Sequence, residues 1–242
     1  LIAQTRAWRE DHKGWVASGM RLWKRGPLQK FYGQHHRMIF QDDPVKARQA
    51  ERPWMVWAGK AEVGQDDAVR VEDGFIRSKG LGAKLVPPLS LVTDYIGIYY
   101  DPSRPSRLEH LIAERAELRL DQVIRANDLI HTLKNQGISK YNLGGTAPTL
   151  PDGERMLVVG QVEDDASIRL GAGEISTNRD LLENARAARP DAVLIYKPHP
   201  DVVSGLRTGD FDASGIADLV LPDADISALL GEISELWTMT SL

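Results

Sequence analysis

The sequence contains no cysteine and no long apolar run. Without cysteine the chain forms no disulfide, holds no thiolate-bound zinc and has no cysteine nucleophile, which fits a reducing compartment. No apolar stretch approaches the roughly 20 residues of a membrane-spanning helix, and the first residues lack the apolar core and cleavage site of a signal peptide. We therefore expect a cytoplasmic protein.

The length and the hydrophobic content of the chain are sufficient for a folded protein. The chain has 242 residues, of which 42% are hydrophobic, so one large domain or two small ones can bury a core. It begins with Leu1 and stops at Leu242, directly after the apolar segment that contains Trp237. A natural C-terminus is usually polar and frayed, so we expect this chain to be part of a longer protein.

Formal charge is unevenly distributed along the chain. Residues 1–40 carry +6, which leaves −10 for the remainder. Two interpretations stay open: a solvated helix anchored to the core by aromatic side chains, or peripheral contact with anionic inner-membrane headgroups, where each basic residue contributes roughly 1 kcal/mol. No nucleic-acid motif accompanies the cations, so we expect no nucleic-acid partner. The residues concerned are Arg6, Arg9, Lys13, Arg21, Lys24, Arg25, Lys30 and Arg37, with Glu10 and Asp11, and the tryptophans Trp8, Trp15 and Trp23.

Short apolar runs predict strands in the first half of the chain, and a periodic segment predicts helices after them. The predicted strands are 54–58 and 69–71, followed by strands or strand-like loops at 89–92 and 96–100. Residues 106–134 carry apolar side chains at helical spacing behind a Ser106/Glu109 capping box, and predict two helices. The Gly- and Pro-containing residues 143–154 predict a linker.

Beyond this linker, predicted strands and helices alternate. The strands are 156–159, 192–196, 219–221 and 235–238, and the helices are 179–188 and 226–230. Such alternation predicts a parallel sheet covered by helices. Because ligands bind at the carboxyl ends of parallel strands, the polar segments 160–165 and 197–201 should converge on one crevice.

Four polar clusters follow predicted strands: residues 72–78 with Gly80 and Gly82, 161–167, 197–201 and 238–241. In the third cluster, prolines on both sides of His199 limit how the imidazole is aimed, and Lys197 adds a cation, which suits a phosphate. A rigid turn with a solvated histidine is the alternative.

Adjacent carboxylates in the second cluster have several possible roles. Glu163, Asp164 and Asp165 can supply a nucleophile, a general acid or base or a ligand of a divalent metal, or they can simply cap an acidic turn. The first cluster offers the same options beside Arg77, which has the geometry to clamp a substrate carboxylate. Its acids are Glu72 and Asp73.

Eight motifs follow one another in order: Glu72–Ser78, Gly80–Gly82, Pro88–Leu91, Gly97–Asp101, Lys140–Asn142, Gly160–Ile168, Lys197–Asp201 and Thr238–Leu242. Together they resemble the capsule polysaccharide biosynthesis family typified by KpsC and LipB, bacterial retaining β-Kdo transferases that build a lipid-linked Kdo chain. The resemblance covers most of residues 54–242. Residues 1–53 resemble the family only loosely, through Trp23–Arg25.

The resemblance implies an α/β, GT-B-like fold of two Rossmann-like lobes with parallel sheets. Residues 1–145 would form the acceptor-side lobe with a helical connection, and residues 146–242 an incomplete nucleotide-sugar lobe. The donor would be CMP-β-Kdo and the acceptor a lipid-linked Kdo, with no required metal or other cofactor. Asp165 would be the nucleophile of a double displacement, and His199-Pro200 would lie against the CMP phosphate.

The remaining site residues are chemical assignments. Glu72 or Asp73 would be the base for the acceptor hydroxyl. Arg77 or Lys140 would bind the Kdo carboxylate. The nucleotide would also contact Lys197, Gln161, Thr240 and Ser241.

Two other hypotheses stay open. The first is a metal-dependent phosphoesterase, with ions held by Glu163, Asp164, Asp165 and His199. The second is a catalytically silent module that docks with capsule assembly proteins. Activity in EDTA would argue against the first, and CMP affinity without turnover in the full-length protein would support the second.

Overall fold

Two β-sheets organise residues 13–241, the part of the chain that the computed structural model describes. The chain divides into two compact units: one extends to Arg77 and includes Pro87–Glu114, and the other includes Ser78–Val86 and continues from Arg115. The lobe boundary after residue 145 remains a prediction. Leu242 and residues 1–12, with Trp8, Glu10 and Asp11, lie outside the described residues.

The first unit contains five strands in the order β2-β1-β3-β4-β5. Neighbouring strands β1 to β4 are parallel, and β5 pairs with β4 in the antiparallel direction, so the predicted parallel sheet has one antiparallel edge. The strands are β1 (Val16–Ser18), β2 (Ile39–Phe40), β3 (Trp54–Trp57), β4 (Val69–Asp73) and β5 (Leu91–Asp94).

Alternation along β3 explains why this sheet has a core on both faces. Met55 packs with Leu28 of α1 (Leu22–Tyr32), whereas Trp54 and Val56 point to the opposite face and pack with Ala47 of α2 (Pro44–Gln49). Helix α2 begins at an N-cap, Asp43, whose Oδ1 accepts hydrogen bonds from the first-turn amides. A 3₁₀ turn, Ala58–Lys60, follows β3.

The segment 96–100, predicted as strand or strand-like loop, is a loop. Asp94 at the end of β5 accepts from the amides of Ile96 and Gly97, which turns the chain out of the sheet. Ile98 and Tyr100 are nevertheless buried, which accounts for the apolar pattern.

Two helices occupy the periodic segment, as predicted. They are α3 (Arg107–Glu114) in the first unit and α4 (Leu120–Asn135) in the second. The capping box is confirmed: the Ser106 amide donates to Glu109 Oε2 at 2.6 Å, and the Glu109 amide donates to Ser106 Oγ at 3.2 Å.

The second unit contains a fully parallel sheet in the order β8-β7-β6-β9. Its strands are β6 (Arg155–Val159), β7 (Val193–Lys197), β8 (Leu219–Val220) and β9 (Glu235–Trp237). One face packs on α6 (Asn178–Ala188) through Leu182, and the other packs on α8 (Ile226–Leu230) through Leu229. Two short helices, α5 (Ala166–Gly171) and α7 (Pro200–Val203), follow β6 and β7.

None of the helices between residues 13 and 241 combines the length and the apolarity of a membrane-spanning segment. The α/β fold class with two mainly parallel sheets is as predicted from the sequence.

Candidate functional site

The polar segments of the second unit converge where its central strands end. Val159 at the end of β6 is paired with Lys197 at the end of β7, and Val158 is paired with Trp237 at the end of β9. Because all three strands are parallel, the segments that follow them leave the same edge of the sheet. Gly160 allows the close approach: its amide donates to the Lys197 carbonyl at 2.8 Å, and an added Cβ would lie 2.6 Å from Tyr196 Oη. The predicted convergence of 160–165 and 197–201 is confirmed.

Asp165 is the N-cap of α5. Its Oδ1 accepts from both the amide and the hydroxyl of Ser167 at 3.0 Å, and its Oδ2 lies 3.7 Å from Arg207 Nη2. The side chain is 47% exposed. The carboxylate is therefore fixed through one oxygen while the other faces a cation and solvent.

Asp164 points to the same cation. Its Oδ1 accepts from Nε and Nη2 of Arg207 at 3.2 and 3.0 Å. Burial acts to raise the pKa of Asp164, but hydrogen bonds from Arg207 and Thr208 outweigh it, so that this pKa lies below its usual value. Asp164 is thus an ionised partner of Arg207 at neutral pH.

Glu163 has a different function in the fold. Its Oε1 accepts from the amide of Asn178 at the start of α6, at 2.8 Å. Among residues 13–241, no group of three His, Asp or Glu side chains is placed to hold a metal ion. The donor set of the phosphoesterase hypothesis is therefore not assembled in the described chain.

His199 is held in one tautomer at the start of α7. Its Nδ1 accepts from the Asp201 amide at 3.1 Å, which assigns the ring hydrogen to Nε2, and the ring meets Tyr141 edge to face at 5.8 Å. Burial lowers the pKa of His199 to about 4, with Lys140 as the next contribution in the same direction. Pro200, the first residue of α7, fixes the backbone beyond it.

Gln161 clamps the loop that follows β9. Its Oε1 accepts from Thr238 Oγ1, Met239 N and Thr240 N at 2.9, 3.0 and 2.9 Å, and its Nε2 donates to Thr240 Oγ1 at 3.0 Å. The residue is only 8% exposed. Its side chain organises residues 238–240, next to the exposed Ser241, and its contact with the nucleotide stays a prediction.

The two lysines of the predicted site differ in their surroundings. Lys197 Nζ donates to the Pro222 carbonyl at 3.0 Å, and burial lowers the pKa of Lys197 although Asp223 and Asp225 oppose the shift. Lys140 Nζ lies 5.5 Å from the ring centre of Tyr141, next to His199. The Ser78 amide donates to the Lys140 carbonyl at 3.2 Å, and the Gly80 amide donates to the Tyr141 carbonyl at 2.8 Å.

The acids and the arginine of the first cluster form a network within the first unit. Asp73 Oδ2 accepts from Arg77 Nε at 2.8 Å and lies 3.4 Å from Lys24 Nζ, which itself sits 3.1 Å from the ring centre of Trp57. Arg77 is 1% exposed. Burial lowers the pKa of Lys24, against the opposing effect of Asp73.

Glu72 precedes this network on β4. Its Oε1 accepts from the Asp73 amide at 2.9 Å, and the Tyr100 hydroxyl is 3.4 Å from its Oε2. The burial of Arg77 argues against its direct contact with a substrate carboxylate. The predicted residues thus fall into two sets, one at the sheet edge of the second unit and one at the end of β4 in the first.

Sequence reasoning missed Arg207 and Asn178. Asn178, which is buried, donates through Nδ2 to the carbonyls of Gln161 and Gly209 and accepts from the Gln161 amide through Oδ1. An asparagine at the start of a predicted helix is a usual cap, so its sequence position gave no sign of this role. Arg207 lies in a loop without a motif, and only the fold brings it to the acids.

Comparisons with known proteins agree with this architecture. The family model described as "Capsule polysaccharide biosynthesis protein" matches residues 58–136 and 146–242. Capsule polysaccharide modification protein LipA of Neisseria meningitidis serogroup A is 42% identical over 241 residues, which cover 93% of this chain and 34% of LipA. Lipopolysaccharide-processing protein LpsZ of Rhizobium meliloti is 46% identical over 181 residues, or 72% of this chain and 41% of LpsZ.

Two solved structures of Thermosulfurimonas dismutans KpsC are also similar. The one described as a β Kdo 2,7 transferase has a TM-score of 0.69 and 28% identity, and covers 92% of this chain and 71% of that chain. The one described as a β Kdo 2,4 transferase has a TM-score of 0.69 and 26% identity, with coverage of 94% and 74%. The chain spans about a third of the length of LipA. It belongs to the capsule polysaccharide biosynthesis family.

Proposed function

We propose that this chain is the donor-binding and catalytic part of a retaining glycosyltransferase of GT-B type that moves Kdo from CMP-β-Kdo to a lipid-linked Kdo acceptor. The observation that carries the proposal is the placement of Asp165 and His199 on one edge of a parallel sheet, next to the loop clamped by Gln161. The similarity to two KpsC structures described as β Kdo transferases supports the substrate class.

Asp165 acts as the nucleophile in this proposal. One of its carboxylate oxygens forms a bond to the ketosidic carbon of Kdo while the bond from that carbon to the phosphate oxygen breaks, and the electron pair leaves with CMP. The acceptor hydroxyl then loses its proton and attacks the same carbon, which releases the Asp165 carboxylate. Two inversions give net retention.

His199 binds the phosphate of the donor. Its Nδ1 is occupied by the Asp201 amide, so the hydrogen on Nε2 is available to donate to a phosphate oxygen. Thr240 and Ser241 lie in the clamped loop and offer hydroxyl groups for the same purpose. Pro200 contributes to donor binding by fixing the backbone that follows His199. Lys197 contributes its charge.

The base for the acceptor hydroxyl remains a prediction, Glu72 or Asp73. One oxygen of Asp73 is shared between two cations, Arg77 and Lys24, and is therefore engaged within the first unit. Glu72 Oε1 accepts from the Asp73 amide at 2.9 Å, and its Oε2 lies 3.4 Å from the Tyr100 hydroxyl, so both acids stay candidates for the base.

We also propose that the protein works in the cytoplasm against the anionic surface of the inner membrane, where the acceptor lipid would lie. The charge of +6 in residues 1–40 supports this location. Cosedimentation with vesicles that contain phosphatidylglycerol, compared with neutral vesicles, tests it. Equal binding to both would contradict it.

Transfer is tested with the full-length protein, CMP-β-Kdo and a synthetic Kdo acceptor. We expect a Kdo-extended product with retained configuration, formed equally well in EDTA. Release of CMP without a product, and only in the presence of a divalent metal, would instead support a phosphoesterase. CMP binding with no release at all would support a silent module.

A further inference from the structure

Arg207 is a cation at the candidate site whose hydrogen-bonding capacity is only partly used. Its Nε and Nη2 donate to Asp164, and Nη2 lies 3.7 Å from Asp165 Oδ2. Its third nitrogen, Nη1, makes no hydrogen bond within residues 13–241, and the side chain is 31% exposed. One edge of the guanidinium is therefore held by Asp164, beside Asp165, while Nη1 keeps its capacity to donate.

The loop that carries Arg207 is fixed on both sides. The Leu206 amide donates to the Asp201 carbonyl at 3.1 Å, and the Glu163 amide donates to the Thr208 carbonyl at 3.3 Å. Gly209 has a φ of 123°, and an added Cβ would lie 2.7 Å from Asn178 Nδ2, so glycine is required for this approach. Arg207 is therefore presented from a defined position.

We propose that Arg207 binds the carboxylate attached to the anomeric carbon of the donor sugar. The proposal rests on the function proposed above and names the residue that would make the site selective for an acidic 2-keto sugar. In such a sugar the carboxyl carbon is bonded directly to the carbon that the nucleophile attacks. A cation that binds this carboxylate must therefore neighbour the nucleophile.

Arg207 meets this requirement. When a nucleophile oxygen is within about 3–3.5 Å of the anomeric carbon, a carboxylate on that carbon lies only a few ångströms from the same oxygen. Within the described chain, Arg207 is the basic residue that forms an ion pair with Asp165. Lys140, the earlier candidate, influences His199 but forms no such pair.

Asp164 is then a positioning residue. It holds Nε and Nη2 of Arg207, which leaves the edge formed by Nη1 and Nη2 for bidentate contact with a carboxylate. Arg207 also offsets the repulsion among Asp164, Asp165 and the incoming carboxylate, since three negative groups would otherwise meet at one place.

The test uses the full-length protein and three variants. Arg207→Gln removes the charge, and Arg207→Lys keeps it without the planar fork. Arg169→Gln makes the same change at an exposed arginine on α5 whose side chain forms no hydrogen bond or ion pair in the described structure. Calorimetry measures CMP affinity, and kinetics measure kcat/KM for CMP-β-Kdo.

We expect Arg207→Gln to lower kcat/KM about 10- to 100-fold, the scale of a hydrogen-bonded charge pair. CMP affinity should stay within about twofold of wild type, because CMP carries no sugar carboxylate. Arg207→Lys should recover part of the loss, and Arg169→Gln should behave as wild type. Thermal unfolding checks that each variant is folded.

A second probe identifies the group that Arg207 contacts. Calorimetry compares the methyl ketoside of Kdo with its C1 amide, in the presence of CMP. Wild type should bind the ketoside with the free carboxylate about 10-fold or more tightly than its C1 amide, and Arg207→Gln should lose this preference. The effects of the Arg207 substitution and of the amide on affinity should therefore not be additive.

Several results would overturn the proposal. A parallel fall in CMP affinity and in transfer would make Arg207 a phosphate ligand instead, and an unchanged preference for the carboxylate in Arg207→Gln would place that contact elsewhere. If wild type transfers no Kdo, the proposed function fails, but the ketoside comparison still decides whether Arg207 binds the carboxylate.

Discussion

Gln161 and Thr240 exchange two hydrogen bonds: the Thr240 amide donates to Gln161 Oε1 at 2.9 Å, and Gln161 Nε2 donates to the Thr240 hydroxyl at 3.0 Å. This pair joins the segment after β6 to the loop after β9, and the same Oε1 accepts from two further donors. Without this acceptor three donors of the loop would lose their partner, which would destabilise the loop. Gln161 is thus a positioning residue for the site.

Gln161→Leu removes four side-chain hydrogen bonds and should lower the free energy of unfolding by about 4 kcal/mol, since each is worth about 1 kcal/mol. Gln161→Glu keeps the acceptor oxygen and loses only the donor to Thr240, so its effect should be about 1 kcal/mol. Urea denaturation measures both. Gln136→Leu, at an exposed position of the same unit, is the control. Equal effects of the two Gln161 variants would contradict a role for Oε1.

The elements of the second unit were predictable because its strands are apolar runs bounded by polar loops. The predicted strand 156–159 is observed as Arg155–Val159, and the predicted helix 226–230 is observed as Ile226–Leu230. Once the strands are known to be parallel, their carboxyl ends must share an edge, so Asp165 and His199 could be placed there from sequence.

Other features depend on tertiary packing and could not be read from the sequence. Strands β1 and β2 have three and two residues and no distinctive pattern, so they were not predicted. The antiparallel direction of β5 depends on how the long connection of residues 74–90 returns the chain to β4, which composition does not show. Arg77 looked available for substrate, since a sequence does not report the burial of an arginine next to Asp73.

Asp165→Ala should abolish transfer, whereas Asp164→Asn should leave measurable activity. Only one of two adjacent carboxylates can face the anomeric carbon, and Asp164 is committed to Arg207. Mass spectrometry should find an adduct of Kdo mass on the tryptic peptide that contains Asp165. Equal loss in both variants, with no adduct, would make the pair structural.

His199→Ala should weaken CMP binding by about 1.5–3 kcal/mol, the range for a hydrogen bond to a charged group. His199→Asn is the matched variant, because its side chain can still accept from the Asp201 amide and keep the cap of α7. Calorimetry should show a similar loss in both. If only the alanine variant loses affinity, the contribution of His199 is the cap and not the phosphate contact.

The half-buried His199 should also make the protein less stable in acid. Its pKa is about 4 in the folded protein and near 6.5 when unfolded, so the unfolded chain binds more protons between these values. Stability should therefore fall as pH decreases from about 6.5 to about 4, by at most roughly 3 kcal/mol for this group. Urea denaturation of wild type and His199→Asn at several pH values isolates the contribution of His199 to this pH dependence. Parallel pH profiles for the two proteins would show that His199 is not responsible.

Asp73 should be important for stability because it neutralises two buried cations. Its Oδ2 lies 2.8 Å from Arg77 Nε and 3.4 Å from Lys24 Nζ, and its side chain is 20% exposed. Asp73→Asn should lower the free energy of unfolding by about 2–4 kcal/mol, slightly less than for a fully buried pair.

Lys24→Met provides the decisive comparison for this network. The methionine retains contact with Trp57 and removes one buried charge, so alone it should cost little, since burial already disfavours the ammonium group and lowers the pKa of Lys24. In the Asp73→Asn background it should recover about 1 kcal/mol or more, because an uncompensated cation is removed. Urea denaturation of the two single variants and the double variant measures the coupling. Additive effects would mean that Asp73 stabilises the first unit through Arg77 alone.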